Sequence, residues 1–119
     1  LAILKFTNES DGTGESSVKK VDVSALKSDS KGRACSSVSI SRIYWACRGM
    51  GVDIEFDAST NVLAICLPAD STGDEYYDLF TGIPNNAGSG VTGDIDFTTV
   101  GHSNGDAYSI ILVVTKNYS

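Results

Sequence analysis

The segment Val52-Asp53-Ile54-Glu55-Phe56-Asp57 alternates apolar and acidic residues without interruption. Successive side chains of a β-strand point to opposite faces, so this pattern puts Val52, Ile54 and Phe56 on one face and three carboxylates on the other. A strand with one apolar face must bury it against another layer. No stretch of the chain carries an apolar 3.6-residue period long enough for an ordinary helix, so that other layer has to be a second sheet.

The rest of the chain divides into similar short strands. Residues 2–7 read as a first strand and residues 18–23 as an edge strand whose apolar side drifts along the segment. Ser24-Ala25-Leu26-Lys27 reads as one helical turn capped by Ser24. Residues 38–48 form the longest early strand. Val38 and Ile40 share one parity while Ile43, Trp45 and Cys47 share the other, which predicts a β-bulge near Ser41-Arg42. Residues 62–67 and 108–116 are apolar on both parities and read as central strands covered on both sides. Residues 75–80 and 94–100 complete a set of about eight strands at a spacing of about 8–12 residues. Twelve glycines and two prolines fit many tight turns. The expected fold is one all-β domain over residues 1–119, an antiparallel, jelly-roll-like β-sandwich with no long helix, and the alternative is a small β-barrel.

Composition narrows the function. The net charge is −6 and the basic residues are scattered, which opposes binding to nucleic acid and to anionic membranes. No segment approaches the ~18 apolar residues of a membrane span. Residues 1–6 are too short for the core of a signal peptide and carry no basic leader. Cys35, Cys47 and Cys66 are an odd set beside apolar runs, which predicts reduced, core-packed thiols and synthesis in a reducing cytoplasm.

Candidate chemistry is sparse. His102 is the only histidine and sits among turn residues, so a Ser-His-Asp triad has one base to draw on and no Gly-x-Ser-x-Gly elbow beside it. Asp53, Glu55 and Asp57, with Asp94 and Asp96, read as solvated strand faces that discourage edge pairing. Neighbours on one such face lie about 7 Å apart, too wide for three side chains to hold one calcium ion unaided. Two carboxylates on adjacent strands flanking a glycosidic bond is the one hydrolytic arrangement the pattern permits. No metal-ligand spacing and no phosphate-binding glycine motif is present, so neither a cofactor nor catalysis is expected. The aromatic pairs Tyr44-Trp45 and Tyr76-Tyr77 each send one ring inward and one elsewhere, and an outward ring is an interface anchor. The connection 82–93 is long for a compact domain, as functional loops often are.

The runs Ser41-Arg42-Ile43-Tyr44-Trp45, Gly49-Met50-Gly51-Val52, Ile83-Pro84-Asn85-Asn86-Ala87-Gly88, Thr92-Gly93-Asp94-Ile95, Thr99-Val100-Gly101-His102-Ser103 and Gly105-Asp106-Ala107-Tyr108 resemble small virion structural proteins of tailed, cyanophage-like phages. The resemblance covers most of residues 38–116. It implies a capsid decoration, or cement, protein that is made in the host cytoplasm and sits on the outside of the virion head. Its implied partner is the major capsid protein, with self-association as a dimer or trimer. The expected contacts are Trp45, Tyr76, Tyr77, Phe80, Ile83, Pro84, Asn85 and Asn86, together with the N-terminal segment. The alternative is a carbohydrate-binding β-sandwich of a phage tail or fibre that reads sugar faces with Trp45 or the tyrosines.

Overall fold

A computed structural model describes residues 2–77 and 82–118. Eight strands follow in chain order: β1 Ala2–Glu9, β2 Val18–Val21, β3 Cys35–Arg48, β4 Gly51–Phe56, β5 Val62–Leu67, β6 Thr72–Tyr76, β7 Ile95–Val100 and β8 Ala107–Tyr118. They form two antiparallel four-stranded sheets, ordered β1-β8-β3-β6 and β2-β7-β4-β5. This interleaved order is that of a jelly-roll sandwich, and the sheets do not close into a barrel.

The alternating segment folds as its pattern requires. Val52, Ile54 and Phe56 are fully buried between the sheets. Ile43, Ile110, Leu112 and Val114 meet them from the other sheet. The ring of Phe97 lies edge-on to Phe6, with centroids 5.3 Å apart, and to Tyr108, at 5.8 Å. This aromatic row joins β1, β7 and β8 and so staples the two sheets together. Tyr108 keeps its polar end satisfied by donating its hydroxyl proton to Glu15 at 2.6 Å. Glu15 in turn fixes the β1–β2 loop to β7 through its N–H, which donates to the Thr99 hydroxyl at 2.8 Å.

The parity change in β3 is a bulge. The register against β8 slips between Ile40 and Arg42, so Val38 and Ile40 face the core on one side of the slip and Ile43 and Cys47 on the other. Strand β8 is central, between β1 and β3.

Four expectations are corrected. Strand β5 lies at the edge of its sheet, with Leu63 53% exposed and Cys66 exposed. Its composition records apolarity on both faces, but the number of strand neighbours depends on sheet order. For the same reason Cys66 is not a core thiol, whereas Cys35 and Cys47 are, and all three are free. Asp94 and Asp96 are buried rather than solvated, because the β4–β5 turn and β2 fold over them. The helical turn is a 3-10 turn over Val23–Ala25 capped by Asp22, whose carboxylate accepts from the Ser24 N–H at 3.0 Å. The turn starts at Val23, one residue earlier than a Ser24 cap allows, so Ser24 falls inside it and Asp22 takes the capping position.

The long connection returns to the sandwich at Gly93, whose φ is +90°. A Cβ there would overlap the Ser36 carbonyl oxygen at the start of β3. Gly93→Ala therefore adds left-handed strain to a steric overlap with backbone, and a loss on the order of 2 kcal/mol is expected in urea unfolding. A loss below about 0.5 kcal/mol, the range of ordinary surface changes, would show that the backbone relaxes freely there.

Candidate functional site

The outer face of the β1-β8-β3-β6 sheet divides into two halves. Near the start of β3 it is polar: the Ser41 and Thr115 hydroxyls lie 2.6 Å apart, and the Asn117 amide donates to Ser37 at 3.2 Å and to Ser39 at 3.4 Å. Beyond the bulge it turns apolar. The register sets Ile3 beside Val113 and Tyr44 beside Ile111, all with the parity that points away from the core. Ile3 is 74% exposed and Tyr44 is 44% exposed, while Ile111 and Val113 on the central strand are half-buried. With Arg42 these residues line a shallow depression of about 360 Å³.

The wall toward β6 is held by charge. Arg42 makes two parallel bonds to the Asp74 carboxylate, at 2.9 and 2.6 Å. Its guanidinium carbon lies 5.9 Å from the centroid of the exposed Tyr76 ring. The hydrogen bonds from Arg42 hold the Asp74 carboxyl below the usual carboxylate range. An exposed pair of this kind adds little stability, but its forked geometry fixes where the guanidinium lies. The result is an apolar floor bounded by two tyrosines and a positioned Arg–Asp pair.

The residues expected from sequence are not brought together. Trp45 packs on the core over Gly73, with its indole N–H donating to the Ser71 hydroxyl at 3.0 Å, so Tyr44 is the outward ring of that pair. Tyr76 is the outward ring of the second pair, and Tyr77 packs inward. Ile83 forms an isolated bridge with Ile40 on the far side of the bulge. Pro84 and Asn86 lie in the same connection and are exposed, and Asn85 between them is half-buried, with its Oδ1 accepting from the Ala87 N–H at 2.9 Å. Phe80 lies outside the described residues. Ile3 was expected only as part of the N-terminal segment, and Ile111 and Val113 were missed. The signal for the last two was the doubly apolar run 108–116 itself: once β8 is central, one parity must face outward.

The acidic face belongs to the other sheet. Glu55 accepts from the Thr98 hydroxyl and Asp57 from the Thr92 hydroxyl, both at 2.7 Å. Asp94 pairs with Lys19 at 3.0 Å. Buried Asp96 accepts from the Asn61 amide at 3.1 Å through one oxygen, and its other oxygen has no hydrogen-bond partner among the described residues. Burial first, then the facing carboxylates Asp57 and Asp94, push its pKa up to about 6. Among the described residues no group of His, Cys, Asp or Glu side chains is placed to hold a metal ion. His102 is exposed in its turn, 3.5 Å from the Thr99 hydroxyl. No described helix is long and apolar enough to cross a membrane. No protein-family model, curated protein or solved structure matches this chain.

Proposed function

We propose that this chain is a docking module, and specifically a capsid decoration protein that binds the outside of a tailed-phage head through the apolar half of the β1-β8-β3-β6 sheet. The observation that carries the docking role is the continuous outward row Ile3, Val113, Ile111 and Tyr44. Apolar and aromatic side chains ringed by polar groups form the centre of binding surfaces, where burial of each anchor supplies most of the affinity. The assignment to a capsid rests on the resemblance over residues 38–116. The jelly roll serves both capsid proteins and lectins, so fold analogy alone decides nothing between them. A protein that binds an assembled lattice better than free subunits stabilises the lattice by mass action.

Mixing the protein with undecorated heads should give saturable binding. Tyr44→Lys puts a charge at the centre of the face without touching the core, and should weaken that binding at least about tenfold, equivalent to about 1.4 kcal/mol. Its unfolding free energy should remain within about 0.5 kcal/mol of the parent. Failure of the parent protein to bind heads ends the capsid assignment. Undiminished binding by Tyr44→Lys moves the contact to another face.

One observation favours carbohydrate as a second reading. Exposed Tyr44 and Tyr76 flank the Arg42–Asp74 pair, joining stacking surfaces to paired polar groups. Glycan-array binding that disappears in Tyr76→Ala would select it over the capsid.

A further inference from the structure

The outer edge of the second sheet is a separate unfinished surface. β5 ladders with β4, and among the described residues with no other strand. Its six residues, Val62-Leu63-Ala64-Ile65-Cys66-Leu67, include no charge and no proline. Edge strands ordinarily carry such residues because unpaired N–H and C=O groups are a template for another strand. Among the described residues the blunting device here is a register slip against β4, between Ile54 and Glu55.

The neighbouring row supplies the second observation. Asp53 pairs with Cys66 and Glu55 with Leu63 across the β4–β5 ladder, so these carboxylates border the apolar edge on the solvent side. Among the described residues neither forms an ion pair with a Lys or Arg of this chain. The molecule therefore presents an open ladder beside carboxylates that lack cations.

We propose that β5 accepts an extended segment of a partner protein as a fifth strand of this sheet. In that segment lysines or arginines alternate with apolar residues. Strands lie about 4.8 Å apart, so the added strand runs roughly 10 Å from the β4 carboxylates. A basic side chain lying across β5 rests its aliphatic stem on Leu63 and Cys66 and brings its charge to Asp53 and Glu55. Main-chain pairing supplies affinity and the charges set register and choice of partner. A second copy of this chain fits the edge poorly: its own β5 brings no cation, and each copy carries a net charge of −6. The inference concerns a face that the head-docking proposal does not use, so either can fail alone.

The test is an NMR titration of the whole, isotope-labelled chain. One probe is a synthetic eight-residue peptide alternating lysine and valine, and the other has glutamate at every lysine. The lysine peptide should shift the amides of residues 62–67 together with Asp53 and Glu55, and should bind at least about tenfold tighter than the glutamate peptide, about 1.4 kcal/mol. The double variant Asp53→Asn, Glu55→Gln should lose that preference. Leu63→Lys, an exposed change, should abolish lysine-peptide binding while the spectrum stays dispersed. Equal binding of the two peptides, shifts centred on another face, or a concentration-dependent dimer that Leu63→Lys dissolves would each overturn the proposal, the last by giving the edge to a second copy.

Discussion

Phe97→Ala is expected to lower the unfolding free energy by about 3–5 kcal/mol, the largest single-residue loss in this molecule. Phe97 is fully buried, and its ring is the middle member of the Phe6–Phe97–Tyr108 row. Truncation removes the transfer free energy of the ring and both edge-to-face contacts. It also leaves a cavity between sheets whose backbones are fixed by their own ladders and cannot collapse to fill it. In calorimetry a domain of this size should lose about 10–20 °C in its midpoint. A loss under about 1.5 kcal/mol would mean that the sheets close on the vacancy, and that the aromatic row is not the staple between them.

The second large effect has the opposite sign. Asp96→Asn is expected to stabilise the protein at pH 7, by on the order of 2 kcal/mol. The carboxyl is 3% exposed and faces Asp57 and Asp94, and these surroundings push its pKa from the ordinary 3.8 up to about 6. In the unfolded chain the same group ionises near pH 4. Between those values the native protein holds a proton that the unfolded chain has released, so this group's contribution to stability falls as pH rises. It is fully present below about pH 4 and gone above about pH 6. The amide introduced by the substitution stays neutral throughout. Its oxygen can still accept from Asn61, while its N–H₂ offers a donor to the Asp57 carboxylate in place of the carboxyl proton. Urea unfolding at pH 4, 5, 6 and 7 should show the parent losing stability along the series relative to the variant, with the gap widest at pH 7. A variant less stable than the parent at pH 7 would show that the carboxylate is held by something that favours its charge.

Much of the sandwich was legible because strand periodicity is local. Residues 52–57 declared both their conformation and their buried face, and the parity change between Ile40 and Ile43 located the bulge within one residue. Val18, Lys20 and Val21 announced an edge strand, and β2 is one, with its own register slip between Lys19 and Val21. The face offered here as the docking site was only half legible. The parity shared by Ile43, Trp45 and Cys47 pointed to Tyr44 as the outward ring of its pair, and the slip at the bulge keeps it so. No such neighbours flank residues 76 and 77, so which tyrosine of that pair faces out was decided by how β6 pairs with β3.

By itself, then, the order of residues determined the strand class, the inward set Val52, Ile54 and Phe56, and the absence of room for a long helix. Each follows from side-chain direction along a single strand, which neighbours in sequence already fix. Tertiary structure alone decided that β5 lies at an edge, that Asp94 and Asp96 are covered, and that Ile3 joins Val113 beside Tyr44. Those outcomes depend on which strands become neighbours. β1 meets β8 across about a hundred residues of intervening chain, a pairing set by how two whole sheets close over one core and by no local pattern.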